Sequence, residues 1–554
     1  MQKQTASQRF HYLVAICSTV MAAGFYFSWL LTSSVTAAPV GCAVPSTPAF
    51  ISKLGFYVLA YDNPSEATYN LADKYQATVD RLVTATTVVP DSVVVILADL
   101  GEADDTHIIV ATGGVATIIN CLPNSDQKLD ASIQEYDVTD GETLANFLLW
   151  GQDTFSPYSS KVFSYIGHGN PVTPYSNPPI ADLITNTVST SNKSTQSATA
   201  LSPLPTRLDA NPSFTDHHAP GEGQLGLITP YALQVALRRA TNNGANNFEI
   251  VDLLHCFAAS IDELYEVAPY TSGIVASPNY AFYDPTMPGI SFELGTPEDI
   301  IAAYHNLHPP TEHPHIIMGI EADTIVSIVD GWNDVSQELM NEYNASPDQT
   351  TDRLILAYRN SVKYDTTVCD ADGDWALEPP DALSDMLSFA TELQTAYGGI
   401  NPTLNSALSS TINDLQGSIL ATVSQNGVPY FDQEDPSYWQ FLPGDSGVSL
   451  WTPFETTNIS GTEYLPWQSL WYTGTLSYTI TNNIQIGNPQ PFRFIEDAAT
   501  PTWADVVARF WAEQSMRPGV DVDTFFCTSE LIALKDESTS PESLIYLPVV
   551  LRPD

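Results

Sequence analysis

Short apolar runs alternate with amphipathic segments along the first half of the chain. The runs at 53–61, 92–98, 161–166 and 248–254 are rich in β-branched and aromatic residues, which is typical of strands buried inside a parallel sheet. Apolar positions recur at helical spacing in the segments between and after them, at 65–86, 141–149, 229–240 and 259–267. A hairpin is predicted at 107–120 and a further strand at 273–277. This alternation predicts an α/β fold with a mostly parallel central sheet and helices on both faces.

The second half of the chain has a different pattern. Helical spacing dominates beyond residue 300, at 298–306, 321–343, 380–397 and 404–424. The last part mixes aromatic strands at 446–454 and 468–480 with a helix at 502–514 and an apolar strand at 544–551. We therefore predict an α/β domain over 39–300, a helical extension over 301–424 and a mixed α+β region over 425–554.

The first 38 residues have the pattern of a targeting segment. Lys3 and Arg9 precede an apolar run from Tyr12 to Leu31, and small residues follow up to Ala38. This order is typical of a cleaved signal peptide, and it predicts a secreted, extracellular protein with no stable membrane association after cleavage. The alternative is an uncleaved anchor, since about 20 apolar residues are long enough to span a bilayer.

Charge and cysteine content narrow the possible partners. The chain has 64 acidic and 19 basic residues, a formal net charge of -45, which argues against nucleic acid and anionic lipid as partners. Five of the six cysteines lie beyond the signal segment: Cys42, Cys121, Cys256, Cys369 and Cys527. An odd number of cysteines in an oxidising compartment predicts that one remains a free thiol. The four others can form two disulfides in three ways, which the sequence does not distinguish.

Two residues that can carry catalysis follow two of the buried strands. His168 comes just after the run at 161–166, and Cys256 comes just after the run at 248–254. In parallel sheets, functional groups collect beyond the carboxyl ends of the strands. A cysteine nucleophile needs an imidazole and amide donors for an oxyanion, and the backbone amides of Gly169 and Cys256 are candidates for the donors. The alternative is a cysteine buried in the core at a strand end.

Four segments resemble the clostripain family of cysteine peptidases, in the same order along the chain. The segment 248–277 is similar to the family's catalytic-cysteine region, and 162–169 is similar to its histidine strand, which ends in His-Gly. The segments 56–63 and 141–150 resemble the first strand and the helix before the histidine strand. The resemblance covers roughly residues 50–400 and implies a caspase-like catalytic domain that cleaves protein or peptide substrates, with Cys256 as nucleophile and His168 as general base.

The residues around the nucleophile depart from the family pattern. The family usually has Asp two residues before its cysteine, where it helps to form an acidic pocket for Arg or Lys, but this chain has Leu254 there and His255 next. Asp252 would point to the same side as Leu254 and Cys256 if the strand alternates regularly, and Asp284 follows the next strand. Both are candidate substrate-binding residues, because a buried carboxylate can hold a guanidinium by paired hydrogen bonds.

A long segment between the two catalytic candidates has no apolar period. Residues 183–224 are rich in Ser, Thr, Asn and Pro, which predicts a flexible linker. The resemblance implies activation by cleavage in this region, with self-processing at Lys193 or Arg207. The alternative is a surface loop that is not cut.

Two further signals concern metal ions, although the dyad chemistry requires no cofactor. Residues 370–381 carry carboxylates with the spacing of an EF-hand-type Ca²⁺ loop, at Asp370, Asp372, Asp374, Glu378 and Asp381. Trp375 stands where such loops have glycine, and the alternative is a solvated acidic turn. A histidine cluster at 305–315 is conceivable as a zinc site, but its Pro-rich setting favours a surface loop.

The sequence thus predicts a secreted cysteine endopeptidase, with cleavage after Arg or Lys as a further hypothesis. The runner-up is a non-catalytic secreted binding protein on the same scaffold, which the altered residues beside His168 and Cys256 would favour. A zinc-dependent hydrolase is a distant third. The first two hypotheses differ in one property, because only the peptidase needs Cys256 as a reactive thiol.

Overall fold

The structure is a computed structural model of the 554-residue chain. It describes residues 42–61, 74–101, 104–169, 227–228, 230–279, 281, 284–307, 315–362, 364, 383–425, 445–452, 454, 478–480, 484–486 and 501–515. The predicted signal peptide, the linker at 183–224, the acidic loop at 370–381 and the apolar tail at 544–551 lie outside these ranges. Among the described helices, none combines the length and apolarity that crossing a membrane requires.

A nine-stranded sheet organises the described chain, in the order β14-β12-β11-β10-β7-β1-β2-β3-β4. Its strands are β1 (Ile51–Ala60), β2 (Val93–Asp99), β3 (His107–Thr112), β4 (Val115–Ile119), β7 (Tyr158–Ile166), β10 (Phe248–Leu254), β11 (Thr271–Ala276), β12 (His315–Glu321) and β14 (Ile419–Gln425). The five strands from β11 to β2 run parallel, and the two strands at each edge are antiparallel to their inner neighbours.

Four short pairs complete the strand inventory of the described chain. They are β5 (Leu122–Pro123) with β6 (Leu129–Asp130), β8 (His168–Gly169) with β9 (Leu227–Ile228), β13 (Leu383–Asp385) with β15 (Ser449–Trp451), and β16 (Tyr478–Ile480) with β17 (Ile484–Ile486). The pair β8–β9 is parallel and the other three pairs are antiparallel.

Helices cover both faces of the large sheet. They are α1 (Tyr75–Val88), α2 (Gly141–Thr154), α3 (Pro230–Ala240), α4 (Ile261–Val267), α5 (Pro288–Glu293), α6 (Pro297–Leu307), α7 (Ile325–Ala345), α8 (Pro347–Asn360), α9 (Met386–Tyr397), α10 (Pro402–Ser418) and α11 (Trp503–Ser515). Alternate residues of each central strand enter two separate cores: Phe56 and Phe163 pack with α2, α3 and α4, whereas Tyr57 and Val162 pack with α1, α5 and α6. The predicted α/β fold, with a mostly parallel central sheet flanked by helices, is confirmed.

The inner strands follow their predicted bounds closely, and the largest differences lie beyond residue 300. The segment predicted as a helical extension also supplies the strands β12 and β14, neither of which was predicted. Residues 419–424 form β14 instead of the end of a helix, because this β-branched stretch pairs antiparallel with β12. Helix α8 was also not predicted, and residues 383–385 form a strand before α9 begins.

One of the open cysteine pairings is fixed in the described chain. Cys42 and Cys121 form a disulfide with a Cα–Cα distance of 5.4 Å. Cys256 keeps its thiol and is partly exposed, as expected for the odd cysteine. Cys369 and Cys527 lie outside the described residues.

Candidate active site

The two predicted catalytic residues leave the same edge of the sheet from adjacent parallel strands. Leu254, the last residue of β10, is in register with Ile166, the last residue of β7, and the Gly167 amide donates to the Leu254 carbonyl oxygen at 3.3 Å. Cys256 and His168 each come two residues later in the chain. The backbone of His168 continues into β8, where it pairs with Leu227. The topology therefore brings the backbones of these two residues to one place.

Gly167 has a packing role between the strands. A Cβ at this position would lie 2.8 Å from the Ala60 Cβ and 3.0 Å from the Ala60 carbonyl oxygen. A side chain at residue 167 would therefore push against β1 at the end of the sheet. This contact explains the glycine at position 167 by packing within the protein.

Backbone hydrogen bonds hold the turn that follows Cys256 from two sides. The amides of Phe257 and Ala259 donate to the carbonyl oxygens of Asn279 and Ser277, at 2.8 and 2.9 Å. On the other side, the Ser449 amide of β15 donates to the Ala259 carbonyl oxygen at 2.9 Å. The turn needs this support because Phe257 has a φ of 60°, which is uncommon for a non-glycine residue.

A buried polar pair lies directly beside Cys256. His255 is 1% exposed and Glu263 is 0% exposed, and His255 Nε2 lies 2.9 Å from Glu263 Oε1. The other ring nitrogen, Nδ1, lies 3.3 Å from the carbonyl oxygen of Cys256. Burial raises the pKa of Glu263, and the interaction with His255 opposes that rise.

Asp252 lies on the other face of the sheet from Cys256. Its carboxyl is fully buried and accepts a hydrogen bond from the Tyr304 hydroxyl of α6. Burial raises its pKa to about 7. Asp252 does share a face with Leu254, but β10 ends at Leu254 and the chain turns, so that Cys256 packs against the opposite core. The expectation that Asp252 and Cys256 point to the same side is therefore wrong.

The remaining predicted site residues are placed as follows. Asp284 lies in a turn before α5, where its Oδ1 accepts from the amide and hydroxyl of Thr286 at 2.8 and 2.7 Å. Gly169 lies in β8, in register with Ile228. The processing candidates and the Ca²⁺-loop candidates lie outside the described residues: Lys193, Arg207, Asp370, Asp372, Asp374, Glu378 and Asp381. In the histidine cluster, His305 lies in the last turn of α6 and His315 begins β12, whereas the other two histidines are not described.

Three carboxyl groups that the sequence analysis did not single out converge beyond β2. Oxygen atoms of Asp99, Asp105 and Glu135 all lie within 4.8 Å of one another. Hydrogen bonds engage these groups, from Thr106 to Asp99 at 2.8 Å, from the Leu100 amide to Asp105 at 3.0 Å, and from the Asp105 amide to Glu135 at 3.1 Å.

Comparison with known proteins finds similarity among solved structures. A secreted C11 cysteine protease from Bacteroides thetaiotaomicron, in complex with an irreversible peptide inhibitor, is 14% identical, with 76% of this chain and 98% of that chain covered and a TM-score of 0.47. An inactive zymogen C11 protease from Parabacteroides distasonis is 12% identical, with 74% and 94% covered and a TM-score of 0.42. C11 is the clostripain family, which is the family that the sequence resembles.

The other two comparisons give no match. No family model matches the chain. No curated protein matches it either. At 12–14% identity and TM-scores below 0.5, the solved structures carry no argument about activity, so the function is argued from the geometry of the site itself.

The partner of His255 and the support of the Cys256 turn by the C-terminal region were not predicted from the sequence. A local signal existed for the first, because Ser260 and Glu263 have the spacing of a capping box. Ser260 Oγ does accept from the Glu263 amide at 3.2 Å, but the Glu263 side chain contacts His255. No local signal existed for the pairing of Ser449 with the Cys256 turn, because it joins distant parts of the chain.

Proposed function

We propose that this protein is a cysteine endopeptidase, with Cys256 as nucleophile and His168 as general base. The observation that carries this proposal is the position of a partly exposed thiol at the carboxyl end of β10, beside the strand that leads to His168. A cysteine with a packing role alone requires neither partial exposure nor a left-handed backbone at the next residue, and Cys256 has both. The resemblance in sequence supports the same assignment.

The chemistry that this arrangement supports is acyl transfer to the thiol. The Cys256 sulfur attacks the scissile carbonyl carbon, while His168 accepts the thiol proton and delivers it to the leaving amine. Water then hydrolyses the acyl-enzyme, with His168 as base, and restores the thiol. The backbone amides of Cys256 and Gly169 are the proposed donors to the oxyanion.

The proposal also covers specificity, secretion, self-processing and Ca²⁺ binding. Cleavage after Arg or Lys needs an accessible carboxylate, and of the two candidates Asp284 suits this role better than Asp252, whose carboxyl is fully buried. Secretion follows from the proposed signal peptide, and self-processing at Lys193 or Arg207 follows from the resemblance. Ca²⁺ binding at 370–381 is proposed from the spacing of the carboxylates in that segment.

Covalent labelling of the purified mature protein tests the assignment. We expect a lysyl or arginyl chloromethyl ketone to modify Cys256, as located by peptide mapping, and His168→Ala to abolish this modification. His305→Ala is the matched control, because it removes a histidine at the end of α6 that has no proposed catalytic role.

Three outcomes separate the hypotheses. Labelling by the basic probes supports both the dyad and the basic specificity. Labelling of Cys256 by iodoacetamide alone, near neutral pH, keeps the peptidase and removes the basic specificity. A folded protein, cut or uncut in the linker, in which Cys256 reacts with neither reagent would contradict the proposal and favour a binding protein.

A further inference from the structure

The buried pair of His255 and Glu263 is costly as a source of stability. Removing two charged or polar side chains from water costs several kcal/mol, and apolar residues of similar volume are often as good or better for stability. Both side chains are wholly enclosed here, and the ring edge of Tyr165 packs against the imidazole with a centroid distance of 5.8 Å. Stability therefore does not explain why these two residues are buried here, and their position beside Cys256 gives a better explanation.

That position is unusual because one imidazole contacts both a helix and the peptide group of Cys256. Its Nε2 contacts Glu263 in the first turn of α4, and its Nδ1 contacts the carbonyl oxygen of Cys256. The other hydrogen bonds of the turn hold Phe257, Ala259 and later residues. The His255 ring thus contacts the carbonyl side of the peptide group between Cys256 and Phe257, whose amide donates to the Asn279 carbonyl oxygen at 2.8 Å.

Proton placement makes the two contacts depend on each other. For Nδ1 to donate to the Cys256 carbonyl oxygen, Nε2 must either donate to an ionised Glu263 or accept from a protonated Glu263. Both arrangements share one proton between the two residues and keep both contacts favourable, at 2.9 Å to Glu263 and 3.3 Å to Cys256. If the pair loses that proton, the ring retains one N–H and one of the two contacts loses its donor. Glu263 therefore decides whether Nδ1 can donate to the Cys256 carbonyl oxygen while Nε2 keeps its contact.

We propose that His255 and Glu263 form a positioning pair that fixes the Cys256–Phe257 peptide group and, through it, the orientation of the Cys256 thiol. This inference rests on the proposed function, since it assigns Cys256 as the nucleophile. The pair touches neither substrate nor the reacting atoms in this scheme. Its effect is on the geometry of attack, where a displacement of about 1 Å can cost about a hundredfold in rate.

The primary test compares three variants of the full mature chain. Glu263→Ala removes the partner of His255, and we expect kcat to fall by about tenfold to a hundredfold with KM changed less than about twofold. Glu263→Gln can donate from its amide to Nε2 while Nδ1–H donates to Cys256, so we expect kcat to stay within about threefold of wild type. Glu266→Ala is the matched control, because it removes a buried carboxyl of the same helix one turn further on, and we expect it to leave kcat within about twofold.

A double variant separates position from stability. His255→Leu with Glu263→Leu replaces the buried pair by apolar side chains, so we expect the melting temperature to be equal to or above that of wild type. We nevertheless expect its kcat to fall as in Glu263→Ala, because the Cys256 carbonyl oxygen then loses its contact with the His255 ring. This variant keeps the test decisive if Glu263→Ala does not fold.

The rate of Cys256 alkylation by iodoacetamide, measured against pH, gives a readout that does not require peptidase activity. We expect it to fall about tenfold in Glu263→Ala and to stay near wild type in Glu263→Gln and Glu266→Ala. Equal kcat and alkylation rates in wild type and the double variant would overturn the positioning role. If wild type cleaves no peptide but alkylation still depends on Glu263, the proposed function fails while the positioning of the thiol stands.

Discussion

Two aspartates in different parts of the molecule, Asp252 on β10 and Asp385 at the end of β13, are equally buried but differently surrounded. Both side chains are 0% exposed, and burial raises the pKa of each. Asp252 accepts from the Tyr304 hydroxyl, and its Oδ1 has no hydrogen-bond partner among the described residues. Asp385 is surrounded by donors on both oxygens. Burial alone therefore does not decide what a carboxyl group does for the fold.

Asp385 connects three segments that are distant in the chain. Its Oδ1 caps α9 by accepting from the Ser388 amide at 2.7 Å. Its Oδ2 accepts from the Tyr364 hydroxyl at 2.6 Å and from the Ser446 amide and hydroxyl at 2.8 and 2.6 Å. The Gly447 amide lies 3.2 Å from the same oxygen. Because Ser449 follows in β15 and supports the Cys256 turn, this carboxyl stabilises one wall of the candidate site.

The largest effect is expected from Asp385→Asn. An amide can present its oxygen to one side alone, so either the Ser388 amide or the Ser446 amide loses its acceptor, and the new NH2 group faces donors. The Gly447 amide keeps the Tyr364 hydroxyl oxygen as acceptor at 3.0 Å. Buried donors without partners cost about 1–3 kcal/mol each, so we expect the free energy of unfolding to fall by about 3–5 kcal/mol. Chemical denaturation at pH 7 measures it. A loss below about 1 kcal/mol would contradict the view that the donors make the two sites different.

Asp252→Asn makes the same chemical change at the sparsely bonded site, and its effect should depend on pH. The pKa of this carboxyl is about 7 in the folded protein against an ordinary value of 3.8. The folded state therefore binds more protons between these values, and stability falls as pH rises from about 4 to about 7. The full difference corresponds to about 4 kcal/mol, and we expect about 2–3 kcal/mol of it as relative stabilisation of Asp252→Asn at pH 8 compared with pH 4.

Denaturation of the two asparagine variants at pH 4 and pH 8 sharpens the comparison directly. Asp252→Asn should be neutral or slightly destabilising at pH 4, where the wild-type carboxyl is protonated in the folded state. Asp385→Asn should be destabilising at both pH values. If the two variants change with pH in parallel, then the count of hydrogen-bond donors does not explain the difference between the sites.

The contrast also shows which parts of the molecule were readable from the sequence. The strands β1, β2, β7 and β10 were predicted because their apolar runs are local, and the placement of His168 and Cys256 at one edge followed from parallel pairing. The hydrogen-bond networks around Asp385 and His255 were not predicted, because it is the fold that brings their partners together. The contact of Asp385 with Ser446, for example, joins residues 61 positions apart. The strand β12 was missed although residues 316–320 form a short apolar run, and β14 was missed because residues 419–424 continue a segment with helical spacing.

The alternation of side chains along β10 also did not predict the direction of side chains beyond Leu254, where the strand ends. The expectation that Asp252 and Cys256 share a side holds as far as Leu254 and breaks at the turn that follows. The turn depends on the left-handed Phe257, which no sequence pattern marks. The cysteine pairing was open for a similar reason, since Cys42 and Cys121 are 79 residues apart and meet through the fold.

The smallest expected effect tests the same rule with the opposite charge. Lys161 on β7 is 1% exposed, and burial lowers its pKa to about 7. Its ammonium donates to Gln152 Oε1 at 2.8 Å and to the Ala240 carbonyl oxygen at 3.2 Å. Both acceptors have a second donor: Tyr158 donates to Gln152 Oε1 at 3.0 Å, and Gln152 Nε2 donates to the Ala240 carbonyl oxygen at 3.0 Å.

Between pH 7 and pH 10 the folded state binds fewer protons at Lys161 than the unfolded state, so wild-type stability should rise with pH. Lys161→Met leaves no acceptor without a donor and should remove this rise. We expect about 1–3 kcal/mol of stabilisation at pH 7, which shrinks towards pH 10. Chemical denaturation measures it, with Lys128→Met at an exposed lysine as the control. An unchanged slope in Lys161→Met would mean that the ammonium gains as much from its two acceptors as it loses by burial, and Lys161 would then belong with Asp385 as a satisfied charge.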